Sequence, residues 1–144
     1  VRFIEEMPFN GSGLNEEAFM SYHKIVEKVK EAYPTLSKIK DEASSTSYNY
    51  SIDNHLGQVG VIAAFSRTFC GTCNRIRVTP TGTFKTCLYD DGVLNIRDLL
   101  RQTPDDGIIK EKLKHAFTHR AKDGFEAEAN RSSLVTESMT TIGG

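Results

Sequence analysis

The stretch Phe69–Cys87, FCGTCNRIRVTPTGTFKTC, holds every cysteine in the chain. Cys70 and Cys73 form a C-x2-C pair, and Cys87 follows after thirteen residues. Strand-forming residues on either side of Thr81-Gly82 predict a β-hairpin over 74–79 and 83–88, so the third cysteine ends a strand. An odd, clustered set of three argues against a disulfide framework, although Cys70 and Cys73 can bond to each other on air oxidation. A thioredoxin-like pair needs a strand–helix junction, and here a strand follows the pair. Zinc would require a fourth ligand, for which His55 is the nearest upstream candidate. An iron–sulfur cluster on three thiolates accounts better for the missing fourth cysteine, because it leaves one iron open for a substrate atom.

Side chains alternate along a strand, which puts Arg75, Arg77 and Thr79 on one face and Ile76 and Val78 on the other, towards a core. The two arginine Cα atoms then lie roughly 6.6 Å apart at about 3.3 Å per residue. Two fixed guanidinium groups suit a polyanion such as a triphosphate. They equally suit ion pairs with Asp90 and Asp91, and on pattern both readings stand.

Outward from this stretch, Val1–Met7 reads as a strand ended by Pro8, with no signal peptide or initiator Met. Asn10–Gly13 (NGSG) reads as a turn in preference to a phosphate cradle. Asn15 reads as the N-cap of a helix carrying Ala18, Tyr22, Ile25, Val26, Val29 and Tyr33 and ended by Pro34. Residues 36–56 read as an irregular connecting loop, and 57–65 (GQVGVIAAF) as a second strand. Asn95 caps a short helix, and Thr103 with Pro104 opens the next, predicted to bury Ile108, Ile109, Leu113, Ala116 and Phe117. His115 and His119, one turn apart, read as a solvated face more readily than as metal ligands. From Ala121 apolar residues thin out, and six Ser or Thr fall between Ser132 and Thr141, a composition that predicts a tail, ending in Gly143-Gly144, that is mobile unless it docks into something.

The 144 residues suit one ordinary domain, and a net charge of −1 gives no global field towards nucleic acid or membrane. No apolar run approaches the ~18 residues of a membrane span. A cytoplasmic chain is expected.

The stretches RFIEEMP, FCGTCNRIRVTPTGTFKTCL and the terminal Gly-Gly closely resemble the C-terminal part of the molybdenum cofactor biosynthesis protein A (MoaA) family, over essentially the whole chain. That family comprises the GTP 3′,8-cyclases, lyases of the radical S-adenosylmethionine superfamily. The resemblance implies an α/β to α+β fold: the C-terminal portion of an incomplete TIM-type barrel, plus a small antiparallel sheet with helices carrying the iron–sulfur site. Residues 1–35 would be the last strand–helix part of the barrel and 36–56 a connecting loop. Residues 57–120 would be the cluster and GTP-binding region and 121–144 the tail.

In the complete enzyme a second [4Fe-4S] cluster, on an N-terminal C-x3-C-x2-C motif, cleaves S-adenosylmethionine. The radical so formed rearranges GTP to 3′,8-cyclo-7,8-dihydro-GTP, which a MoaC-type synthase consumes. Carried onto this chain, Cys70, Cys73 and Cys87 would ligate a [4Fe-4S] cluster and Arg75, Ile76 and Arg77 would hold GTP. Met7 would contact S-adenosylmethionine, and Gly143 and Gly144 would enter the catalytic site. The C-x3-C-x2-C motif does not occur here, so the chain is expected to be a piece that needs the N-terminal half and has no cyclase activity by itself. Its first strand, without barrel neighbours, could pair with a second copy in a homodimer. The rival reading is a zinc-ribbon-like nucleic-acid module using Arg67, Arg75 and Arg77, which the balanced charge and the single Cys87 disfavour.

Overall fold

The computed structural model describes residues 1–9 and 19–142. The NGSG turn, Asn15 and Ala18, and Gly143 and Gly144, lie outside the described residues. The chain divides into two compact units, Val1–Met7 with Gly13–Cys73 and Pro8–Ser12 with Asn74–Gly144.

The first unit contains a four-stranded mixed sheet ordered β1-β4-β3-β2. Its strands are β1 (Arg2–Ile4), β2 (Ser37–Lys38), β3 (Ser47–Ser51) and β4 (Gln58–Ile62). β1 runs parallel to β4 with Phe3 opposite Val61, and the other pairings are antiparallel. Residues 36–56 therefore are not wholly irregular: β3 hydrogen-bonds along the whole of β4, with Tyr48 opposite Val61. The polar run SSTS hid this strand, because only the inward Tyr48 and Tyr50 carry its apolar signal. The expected barrel is not formed among the described residues, which show this open sheet instead.

Helix α1 (Tyr22–Ala32) places Tyr22, Ile25, Val26 and Val29 on one face at three- and four-residue spacing. That face meets Leu36, Tyr50, Ile52, Val59 and Val61, and burying each such side chain is worth about 1.5–3 kcal/mol. The helix starts later than expected: Ser21, not Asn15, is its N-cap, its hydroxyl accepting from Lys24 N at 3.4 Å. Pro34 follows the C-cap Tyr33, as expected.

The second unit is built on an antiparallel sheet, β5 (Arg77–Val78), β6 (Thr83–Lys85) and β7 (Leu94–Asn95). The predicted hairpin is present, turned by Gly82 at φ +86°. A Cβ there would lie 2.4 Å from Arg97 Cβ, so both conformation and space call for glycine. Ile76 and Val78 do not face a core: each is 51% exposed, because β5 is a two-residue edge strand. Helix α2 (Ile96–Gln102) is capped by Asn95 as predicted. Helix α3 (Asp106–Thr118) is capped by Asp105 rather than Thr103; the Asp105 carboxylate takes the N–H groups of Gly107 and Ile108. None of the five apolar residues assigned to its buried face is fully buried, and Ile108 and Phe117 are exposed.

Residues 121–142, expected to be mobile unless docked, are held against the rest of their unit. They form α4 (Gly124–Ala129) and α5 (Met139–Ile142), and Ile142 is buried. Charged and hydroxyl side chains, described below, hold this segment in place of the missing apolar ones.

In the first unit the Glu5 carboxylate is 1% exposed and accepts four hydrogen bonds. Tyr22 N (2.6 Å) and Ser66 Oγ (2.7 Å) reach one oxygen, and Phe65 N (2.9 Å) and Ser66 N (2.6 Å) the other. Glu5→Ala strips a buried acceptor from four half-buried donors and is expected to lower the unfolding free energy by about 3 kcal/mol. Urea titration checks this, with exposed Glu6→Ala expected to stay within about 0.5 kcal/mol of the parent.

Candidate metal centre

The loop after β4 carries the first two cysteines. Glu5 holds its start at Phe65 and Ser66, and Tyr48 Oη donates to Thr68 Oγ1 at 2.9 Å further along. Between them Arg67 is buried at φ +53°, a left-handed backbone unusual for a side chain of this size. Arg67 O then accepts from Cys70 N (3.2 Å), and Cys70 O from Cys73 N (3.2 Å). The C-x2-C pair thus spans one 3-10 turn at Cys70–Thr72, with both cysteines half-buried and outside any disulfide.

Cys87 belongs to the second unit, in the loop after β6. It too is half-buried and outside any disulfide, and Tyr89 N donates to its sulfur at 3.5 Å. Buried Asp90 organises this loop. One carboxylate oxygen accepts from Thr86 N (2.8 Å), Thr86 Oγ1 (3.1 Å) and Cys87 N (2.8 Å), the other from Gly92 N (3.0 Å). Asp91 takes the backbone N–H and hydroxyl of Ser132, which hold its carboxyl below the usual range. Of the two acids read in the sequence as partners for the arginines, Asp90 thus braces its own loop and Asp91 ties that loop to Ser132.

The arginine pair flanks the hairpin start in the second unit. Arg75 is exposed ahead of β5, and Arg77 is half-buried in β5. Arg77 stands directly opposite Lys85 in the ladder, a like-charge juxtaposition. Lys85 is 3% exposed, with Nζ 3.6 Å from Glu137. Ile76 projects from the sheet edge, and Met7 in the first unit is half-buried just beyond β1.

Glu137 lies between two buried cations. Arg131 donates to both of its oxygens, at 2.8 and 2.9 Å. Burial pushes the Glu137 carboxyl up, but the Arg131 hydrogen bonds and the Arg131 and Lys85 charges outweigh this and leave it lowered. Sequence reasoning missed Glu5, Arg131, Lys85 and Glu137 as organisers of the site. The only sequence signal for them was charged residues within otherwise strand-like or tail-like stretches.

Among the described residues, no group of three or more His, Cys, Asp or Glu is gathered to hold a metal ion. Taken unit by unit, the donors are soft ones: two cysteines outside any disulfide on one turn of the first unit, and in the second a sulfur that receives a backbone N–H. His55 is exposed with its ring edge-on to Tyr33. His115 and His119 stack at 3.9 Å on exposed α3.

The chain is thus of mixed α/β class, with a turn bearing two cysteines in its first unit and a braced loop bearing the third beside a basic hairpin in its second. The sequence profile of the Molybdenum Cofactor Synthesis C family matches residues 1–126, and the chain belongs to that family. It is 33% identical over 144 residues to the mitochondrial GTP 3′,8-cyclase of Arabidopsis thaliana, covering 100% of this chain and 37% of that protein. It is 42% identical over 101 residues to molybdenum cofactor biosynthesis protein 1 of Homo sapiens, covering 70% of this chain and 16% of that one. The GTP 3′,8-cyclase of Chlorobaculum tepidum is 30% identical over 145 residues, covering 100% of this chain and 43% of the bacterial protein. The chain thus spans well under half the length of these relatives. No helix among the described residues is long and apolar enough to cross a membrane.

The lowered Glu137 carboxyl gives a pH signature. Its stabilising contribution is complete above its unfolded value, about 4.3, and is lost as pH falls through the lower folded value. Glu137→Gln is expected to cost about 2 kcal/mol at neutral pH, by leaving two buried cations without their counter-charge. The gap between parent and variant should stay level from about pH 7 to 5 and close below about pH 4, as denaturant titration at stepped pH would show.

Proposed function

We propose that the chain is the GTP-binding, second-cluster region of a GTP 3′,8-cyclase, acting in molybdenum cofactor biosynthesis together with the N-terminal half of the same enzyme. The observation that carries this is the cysteine spacing C-x2-C-x13-C with Arg75-Ile76-Arg77 between, in a chain of the Molybdenum Cofactor Synthesis C family. Cys70, Cys73 and Cys87 would hold a [4Fe-4S] cluster. When bound, that cluster supplies one iron without a protein ligand, open to the edge of a purine.

The remaining roles fall to side chains of the chain itself. Arg75 and Arg77 would neutralise and orient the GTP phosphates through charge-assisted hydrogen bonds, with Ile76 against the nucleotide. Met7 would contact S-adenosylmethionine, and Gly143 and Gly144 would reach the reacting centre. Residues 1–35 would complete the radical-enzyme barrel, in which the open β1 edge would find a neighbour. Residues 57–120 would form the cluster and nucleotide region. The chain by itself is proposed to have no cyclase activity, since its three cysteines cannot also supply a cluster that cleaves S-adenosylmethionine. The product would pass to a MoaC-type synthase, in the cytoplasm.

The decisive experiment is iron, acid-labile sulfide and zinc analysis after anaerobic reconstitution. About four iron and four sulfide per three-cysteine site, lost in Cys87→Ser, are expected. Stoichiometric zinc with no stable iron species would sink the cluster and revive the zinc module. In the full-length enzyme, Arg77→Ala is expected to weaken GTP binding about tenfold or more with iron content unchanged. Unaltered GTP affinity in equilibrium titration would remove the phosphate-clamp role.

A further inference from the structure

Arg131 follows directly on α4 and its C-cap Asn130, and it is buried to within 3% of full burial. Every nitrogen of its guanidinium is engaged. Nε donates to Ser133 O (2.9 Å). One terminal nitrogen donates to Tyr89 O (3.3 Å) and Asp90 O (2.9 Å), the other to Leu134 O (3.4 Å) and both Glu137 oxygens. Arg131 therefore grips two consecutive carbonyls of the Cys87 loop, while Ser132 next to it grips Asp91. The same loop directs Tyr89 N at the Cys87 sulfur and Cys87 N at the Asp90 carboxylate.

We infer that Arg131, clamped by Glu137, is a positioning residue for Cys87, holding its loop in the conformation in which the sulfur receives the Tyr89 N–H. The inference rests on the three-thiolate reading for its meaning but not for its geometry. Fixing the carbonyls of residues 89 and 90 fixes the orientation of the peptide before them, whose N–H meets the sulfur. A planar, fully donating fork suits this task, since one rigid group satisfies carbonyls and a carboxylate at once. Hydrogen bonds to a ligating sulfur or its neighbours commonly set metal affinity. Arg131 and Glu137 lie beyond the residues matched by the family profile, so this brace comes from the segment that the sequence read as a loose tail.

The test uses the full-length polypeptide with Arg131→Gln, Arg131→Lys and Glu137→Gln, and Cys87→Ser as reference. In cluster-free protein, iodoacetamide labelling of each cysteine is followed by mass spectrometry. In reconstituted protein, iron release to a chelator is timed. Arg131→Gln is expected to speed labelling of Cys87, but not of Cys70 or Cys73, and to speed iron release roughly tenfold. Arg131→Lys should fall between, since it keeps the charge but not the fork, and Glu137→Gln should have the smaller effect of a loosened clamp.

Unchanged Cys87 labelling in Arg131→Gln would overturn the inference. An equal rise at all three cysteines would overturn it too, by showing general loosening. If the wild-type protein holds no iron, the cluster reading fails, while the labelling comparison still decides the role of Arg131. If Arg131→Gln does not fold, Glu137→Gln and Arg131→Lys decide it by the same selective labelling.

Discussion

The buried Glu5 carboxylate ties together three pieces of chain at one point. It sits just past β1, accepts from the first residue of α1, and accepts from the two residues that open the Cys70–Cys73 loop. An ionised carboxylate out of water is costly, and only a full set of donors offsets that cost. Three backbone N–H groups and one hydroxyl supply it. Glutamine would present one of its ends as a donor to groups that are themselves donors. The α1 N-terminus adds its favourable field, because an anion there faces the unpaired N–H groups of the first turn. Without Glu5, β1 and β4 would still pair, but the path from β4 to the cysteines would be unanchored.

The second unit solves the same problem with a different carboxylate. Asp90 collects N–H groups from Thr86, Cys87 and Gly92, and so defines the turn on which the third sulfur sits. Each sulfur-bearing segment is thus irregular backbone gathered on a buried acid, rather than part of a ladder. The choice has a reason. A strand side chain takes its direction from the pleat, whereas these three half-buried cysteines take theirs from the local path of a turn or loop. Loops placed by rigid neighbours provide that, and carboxylates satisfy their backbone donors.

These devices set how much was legible beforehand. Cysteine spacing, the hairpin with its Gly82 turn and the Asn95 cap were legible, because each depends on neighbours in sequence. The strand β3 was not, since its pairing with β4 supplies what its serines and asparagine lack in propensity. The α1 start was misplaced because Asn15 and Ser21 are both good caps, and only the Glu5 contact at Tyr22 decides between them. Asp105 and Thr103 posed the same ambiguity at α3, where the carboxylate took two N–H groups and the hydroxyl accepted from Asp105 itself. Residues 121–142 read as loose because apolar content was the criterion. Their order comes from Arg131, Ser132 and Glu137, which composition counts as polar.

Charge also explains how a basic hairpin coexists with a nearly neutral chain. Arg77 and Lys85 face each other across the ladder, where two bare cations would repel. Glu137 removes the conflict by taking Lys85 into a buried pair, itself shared with Arg131. Lys85 is thus buried beside an acid, while Arg77 across the ladder is half-buried. The acids of this unit act inward, on loops and buried cations. The near-neutral total therefore does not describe the hairpin start, where Arg75 is exposed and Arg77 half-buried: charge of one sign can be concentrated locally while the chain as a whole stays balanced.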